Sequence, residues 1–356
     1  MNAVDSTVDL DDGDGLLAAD RNGLLRAAAM AGAQVRATAA ALAEGVLEPL
    51  RSDLPPRTVV WVAGRGVAHS AGTMLAAALG GSVAAPIVIA SEAPPWIGAL
   101  DVVIVAGDDP GDPALVNAAA TAVHRGARVL VVAPQEGPLR DVTAGRAVAL
   151  PARLWVPDDF GLTRYLAAGL AALHVVDPGT RVDLSALADE LDAEALRNST
   201  ARELFTNPAK TLAERMSGAD VVLAGATAAT LALARHGADV MLRLAGEVTA
   251  AAGLGDVLAA VANRASDRRG AERSLFHDEQ IDGPLPSRLR TFVLTTDTER
   301  PAVSARIAGF DDITALGAED VPDAGPAIPV GRAEQQLAIL AVRLEMTAVY
   351  LKLVRG

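Results

Sequence analysis

The chain reads as an α/β protein in two halves, each a mainly parallel β-sheet flanked by helices in three αβα layers. Three observations lead there. Asp101 to Val132, DVVIVAGDDPGDPALVNAAATAVHRGARVLVV, forms one strand–loop–helix–strand unit. It has an apolar β-branched run at Asp101–Val105, a Pro/Gly turn at Asp109–Asp112 and an Ala-rich helical stretch at Pro113–His124. Gly126 then stops the helix, and a second apolar run follows at Arg128–Val132. Second, such runs alternate with helical stretches along the chain, as in parallel strands joined by right-handed crossovers. Third, ADVVLAG at Ala219–Gly225 echoes ALDVVIVAG at Ala99–Gly107, and both lead into Ala-rich helices. The echo indicates an internal duplication, which divides the chain into a flexible acidic arm (1–14), a first domain (15–195) and a second domain (196–356).

In order, Leu16–Leu50 has helical periodicity, with Gly32 and Gly45 as points of division. Pro55-Pro56 turns the chain into a strand at Thr58–Ala63, followed by the loop GRGVAHSAGT and a helix to Leu79. A strand at Ala84–Ile89 and a short helix at Pro95–Leu100 lead into the 101–132 unit. Gly145–Leu150 reads as an edge strand, and Gly161–His174 and Leu184–Leu196 as helices. Asn207-Pro208 opens a helix through Met216. After the strand at Ala219–Gly225 come a helix at Ala226–Ala234 and a further segment to Leu254. Asn263–Glu272 is polar and reads as a mobile loop. A strand at Arg290–Thr295, a helix at Pro301–Ile307 and a strand at Asp312–Leu316 follow. A Pro/Gly-rich linker, Val321–Val330, precedes an amphipathic closing helix at Arg332–Val354.

Composition narrows the function. The net charge of −13 argues against a nucleic-acid or anionic-membrane binder. The absence of Cys removes disulfides, thiolate metal sites and Cys nucleophiles. The N-terminus lacks a basic-then-apolar signal pattern, so the chain is expected to be cytoplasmic. Gly66–Ala90 carries no formal charge over a membrane-spanning length, but Gly80-Gly81 and Pro86 break it into helix, turn and buried strand.

Ligands of open parallel sheets bind at the loops leaving the carboxyl ends of strands. The loop after the first strand, Gly64, Arg65 and Gly66 with Ser70 and Thr73 following, can present backbone N–H groups to an anion at a helix start. It does not carry G-x-G-x-x-G, because His69 stands where the third Gly belongs, and the acidic ribose partner is missing. No nicotinamide cofactor is expected. Asp108, Asp109 and Asp112 in the next loop read as a solvated turn rather than as metal ligands.

Several patches, in the right order and covering most of the chain, resemble the two-domain phosphoglucose/phosphomannose isomerases, which are built from two sugar isomerase (SIS) domains. GRGVAHSAGTML resembles that family's first Gly loop, and VVIVAG followed by NAAATAVHRGARVLVV its second strand–loop–helix. LTRYLAAGLAAL resembles its Q-P-R-x-A-L-G run, NPAKTLAERMSGADVVLAG its approach to the second domain, SLFHDEQIDG its E-L-N-H-N-E-I-V-G, and AVRLEMTAVYLKLVRG its closing helix. The resemblance implies two SIS-type domains, a homodimer, a sugar phosphate as ligand and aldose–ketose isomerisation through an enediolate. It places Arg164 at the family's Arg, His277 at its His and Glu247 at its proton-transferring carboxylate, with an insertion around Ser266–Gly270 between the last two. The chemistry needs these types. A weakly acidic C–H requires a carboxylate in reach, an anionic enediolate requires a fixed cation, and ring opening near neutral pH suits an imidazole.

The chain departs from that family at the phosphate. The family's hydroxyl-bearing second loop is here AGDDPGD. A phosphate dianion ~5 Å from one carboxylate, at an effective dielectric of ~20, is opposed by ~7 kcal/mol before screening. The family's terminal Lys is also missing, with Lys352 inside the closing helix as the nearest substitute. The alternative is therefore a non-catalytic SIS-type protein that binds a sugar phosphate or a protein partner.

Overall fold

The computed structural model describes residues 8–271, 289–320 and 331–355. The first half begins with α1 (Gly13–Ala19), α2 (Leu24–Ala29) and α3 (Ala31–Ala43). It continues as β1 (Val59–Val62), α4 (Gly66–Leu79), β2 (Ile87–Ala90), β3 (Val102–Ala106), α5 (Pro113–His124), β4 (Arg128–Val132), α6 (Gly137–Thr143) and β5 (Val148–Ala149). Helices α7 (Leu162–Val176), α8 (Leu184–Arg197) and α9 (Pro208–Met216) lead into β6 (Asp220–Gly225) and α10 (Ala228–Val240). Then come β7 (Thr249–Gly253), α11 (Leu254–Ala271), β8 (Leu289–Leu294), α12 (Arg300–Ile307), β9 (Ile313–Leu316) and α13 (Ala333–Arg355).

Both sheets are wholly parallel, with strand orders β2-β1-β3-β4-β5 and β7-β6-β8-β9. The fold class read from the sequence is the one found. VVWV and VVIVA are buried at every position, as expected of parallel strands covered on both faces. Alternation sends Val60, Val62, Val103 and Val105 to an outer core against α5 and α6, while Trp61, Val102 and Ile104 face the opposite way. The second sheet has its own outer core of Val222, Ala224, Val293 and Ile313 with Leu254 and Val257 of α11 and Val303 of α12. Between the sheets lies one continuous apolar core, filled by α3, α4, α7, α8, α9, α10 and α13.

Strand order corrects the duplication read from sequence. β6 has neighbours on both sides and opens its half, so β7-β6-β8-β9 repeats β2-β1-β3-β4. The partner of β6 is β1, although its sequence echoes β3. A buried parallel strand of either position needs the same small apolar residues, so the words match where the topology does not.

Several expected elements differ. Pro95–Leu100 forms turns rather than a helix: the buried Asp101 carboxylate accepts from Gly98 N at 2.8 Å and holds Arg57 and Thr58, pinning the chain in a bend. Asn263–Glu272 is not a loop through Ala271, because α11 continues there. Its apolar Leu254, Val257, Leu258 and Val261, at i, i+3, i+4 and i+7, seat it on the outer core. The first helical stretch breaks at Gly23 and Met30, not at Gly32, which lies inside α3. A Cβ at Gly32 would sit 2.6 Å from the Ala188 carbonyl oxygen, so the missing side chain lets α8 approach. α1 begins within the stretch assigned to the acidic arm, and Asp11 accepts from Leu204 N at 2.6 Å. The closing helix is not amphipathic. From Gln336 to Leu351 it is buried on every face, the pattern of a central core helix. The segment Ser274–Gly283 and the linker Val321–Val330 lie outside the described residues.

Candidate functional site

In the first sheet the chain departs in opposite directions from β1 and β3, which are neighbours. The crevice outside the carboxyl ends of two such strands is where open α/β sheets take ligands. Its first wall is Gly64-Arg65-Gly66, all exposed. Arg65 is extended, and Gly66 sits at φ +66°, a left-handed value that favours Gly. A Cβ on Gly64 or Gly66 would meet nothing within 4 Å, so the space above the loop is open. No side chain caps α4, and its first-turn N–H groups face that space with the positive end of a 14-residue helix dipole. Ser70 and Thr73 do not line the loop with free hydroxyls. They donate back to the Gly66 and His69 carbonyls at 3.4 and 2.9 Å.

The second wall is the loop after β3. Asp109 accepts from Gly111 N and Asp112 caps α5 at Ala114 N, each at 2.8 Å. Two of the three acids therefore build the turn, and among the described residues no three His, Asp or Glu side chains gather as a metal site. Asp108 instead faces Asp158, which sits on a 3₁₀ turn, Asp158–Phe160, ahead of α7. Partial burial first, then the Asp108 charge, hold the Asp158 carboxyl above its ordinary range against the pull of Arg164.

Arg164 lies in the first turn of α7, and this helix start abuts α4: a Cβ on Gly161 would meet Val67 Cγ2 at 3.5 Å. Its guanidinium stacks 4.2 Å from the Tyr165 ring centroid. Its Nη1 is buried without a hydrogen-bond partner among the described residues and borders a cavity of about 10 Å³, room for one water. Burial pushes the Tyr165 phenol up to about 12, so it stays protonated at neutral pH.

Glu247 follows a π-helical turn, Met241–Ala245, in the second half. It pairs with Arg355, and Lys352 donates to the Leu244 carbonyl at 3.2 Å, so α13 clamps the turn twice. Arg243 in the same turn reaches across the halves to Asp159 at 2.7 Å. The Asp159–Arg243 bridge thus joins the segments that carry Arg164 and Glu247, and among the described residues no hydrogen bond or ion pair joins those two directly. His277 lies outside the described residues. Sequence reasoning missed Asp158, Tyr165 and Arg243. The one available signal was the acid pair Asp158-Asp159 just before the helix of Arg164.

No family model matches the chain, and no curated protein does. Solved structures share its fold. Tagatose-6-phosphate ketose/aldose isomerase from Escherichia coli matches with a TM-score of 0.62 at 15% identity, over 100% of this chain and 95% of that one. A glucose-6-phosphate isomerase like protein from Thermus thermophilus matches at 0.56 and 19%, over 98% and 96%. The C-terminal domain of glucosamine-fructose-6-phosphate aminotransferase from Francisella tularensis matches at 0.58 and 12%, over 94% and 96%. At these identities the likeness is one of fold. No helix among the described residues is long and apolar enough to cross a membrane.

Proposed function

We propose that the chain is a sugar-phosphate isomerase-like protein, acting on glucose or mannose 6-phosphate and fructose 6-phosphate in a cytoplasmic homodimer of two-SIS-domain subunits (15–195 and 196–356). The observation that carries this reading is the uncapped start of α4, open at the β1/β3 crevice and abutted by the helix start that bears Arg164. In this reading Gly64, Arg65 and Gly66 hold the anion with backbone N–H groups and one guanidinium, and Ser70 and Thr73 shape the helix behind them. Arg164 balances the enediolate charge, Glu247 moves the proton between C1 and C2, and His277 assists ring opening. Leu154 and Trp155, a few residues before Asp159, and Leu242 and Val248, on either side of Arg243 in sequence, are exposed apolar side chains that a second copy could cover.

A second reading, a binder without turnover, is favoured by two contacts. Arg164 already faces the acidic Asp158, and Glu247 already pairs with Arg355. One experiment separates the readings. The purified chain is incubated in deuterated water with each of the three hexose 6-phosphates, and deuterium at C2 is followed by NMR beside calorimetric titration of the same ligands. Exchange that Arg164→Ala reduces at least a hundredfold supports catalysis. Saturable binding without exchange supports the second reading with a sugar phosphate as ligand, and neither exchange nor binding removes both sugar-phosphate readings and leaves a protein partner.

A further inference from the structure

The repeat of β2-β1-β3-β4 by β7-β6-β8-β9 makes the loops leaving β8 and β9 the counterparts of those leaving β3 and β4. A cavity of about 260 Å³ opens there, closed on its other sides by α8 and the first turns of α13. We propose that this cavity is a second ligand site, which takes an unphosphorylated polyhydroxyl compound, a free sugar or polyol.

Unused hydrogen-bonding groups converge on it. Glu319 gives one oxygen to Arg300, while its Oε2 is buried with no hydrogen-bond partner among the described residues. A buried acceptor left unpaired costs stability that a ligand donor would restore. Burial first, and then the neighbouring Asp297, raise the Glu319 carboxyl above its usual range. Asp297 is fixed by Gln336, which accepts from its N–H at 2.8 Å and donates to Oδ2 at 3.1 Å. Glu190 of α8 adds a third carboxylate with no protein partner among the described residues.

Donors face these acceptors. Arg197 gives Nε to the buried Glu194 at 2.9 Å, and that carboxylate is shared with Arg343, so the two Nη atoms of Arg197 have no protein partner among the described residues. Gln335 accepts from Arg332 N at 3.0 Å, and its amide N–H groups have no protein partner among the described residues. Ala186, Ala318 and Ile339 complete an apolar floor.

The mixture selects the ligand class. Three carboxylates repel a phosphate, and Arg197 opposes an ammonium ion. A hydroxyl donates to the carboxylates and accepts from Arg197 and Gln335, so vicinal hydroxyls answer both sets at once. The apolar floor takes the C–H face of the same molecule. This site shares no residue with the α4 crevice and does not depend on the isomerase reading.

The test is calorimetric titration of the full chain with D-mannose, D-fructose and mannitol, repeated with Glu190→Ala and Gln335→Ala. Both side chains are half-buried and outside the apolar core, and thermal melts check that the variants fold. Saturable binding of any of the three, weakened at least tenfold in both variants, supports the site. Hexose binding without mannitol binding identifies the ring form as the ligand, and the converse identifies the open chain. No saturable heat from any of the three overturns the proposal, as does unchanged affinity in both variants. Displacement of bound hexose by its own 6-phosphate at equal affinity overturns the exclusion of anions.

Discussion

Glu194 and Glu345 are both buried, at 0% and 1% exposure, yet their carboxyls shift in opposite directions. Burial pushes Glu194 up, but the Arg343 charge and its hydrogen bonds at 2.7 and 3.2 Å, joined by Arg197 and Asn198, outweigh it and hold the carboxyl below its ordinary range. Burial also pushes Glu345 up, and its one hydrogen-bond partner among the described residues, His236 at 3.3 Å, does not reverse it. The linkage signs follow. The contribution of Glu194 is complete above the unfolded value of about 4.3 and is lost as pH falls through its lower folded value. The contribution of Glu345 is complete below about 4.3 and is lost as pH rises through its higher folded value. Glu345→Gln is therefore expected to flatten the decline of stability that sets in as pH rises above about 4.3. Glu194→Gln leaves two buried or half-buried guanidiniums uncompensated and is expected to cost about 3–5 kcal/mol at neutral pH. Urea denaturation across the pH range reads both, and parallel pH profiles for wild type and Glu345→Gln would refute the assignment.

At the scale of elements, α4 and α7 are held at close range by two glycines around one indole. A Cβ on Gly72 would lie 2.4 Å from Trp61 Cδ1, and one on Gly169 would lie 2.9 Å from Trp61 Cζ3. Trp61 also donates its Nε1 to the Ala68 carbonyl at 3.0 Å, which fixes the ring against sliding. Gly72→Ala improves helix propensity by about 1 kcal/mol but overpacks the indole, at a cost of about 1–3 kcal/mol. A net loss of stability is expected in chemical denaturation, and a gain would show that the ring has room to move. The same packing explains what could be read in advance. α5 and β4 were legible to the residue, because a Pro start, a Gly stop and a β-branched run all agree there. β7 was not, since TAAAG carries no β-branched pattern and is a strand only because β6 offers it an edge. The crevice loops of the first half were legible from their place after strands. The surroundings of Arg164 were not, because Asp158 reaches Asp108 from fifty residues away by way of a 3₁₀ turn that only tertiary packing fixes.

For the whole molecule, the repeat divides topology without dividing the core. Each sheet has a private outer core, but the inner faces of both feed one cluster in which α4 of the first half packs against α10 of the second. α13 is buried on every face from Gln336 to Leu351 and touches α2 and α8 as well as α9 and α10. Cutting between 195 and 196 would strip α13 of its first-half neighbours, part α8 near its end and break the Asp159–Arg243 bridge. A stranded Leu or Ile costs about 1.5–3 kcal/mol when re-exposed, so losing several of these contacts is comparable to the whole usual stability of a domain, about 5–15 kcal/mol. The two proposed domains are thus expected to behave as units of topology and not of stability. The full chain is expected to unfold in one transition, coincident by far-UV circular dichroism and by tryptophan fluorescence. Fragments 15–195 and 196–356, made separately, are expected to melt without cooperativity and to bind a hydrophobic dye, whereas co-expression restores a single sharp transition. A cooperative melt from either fragment alone would show that its outer core and sheet suffice, and that the shared inner core is an interface between two independently stable bodies.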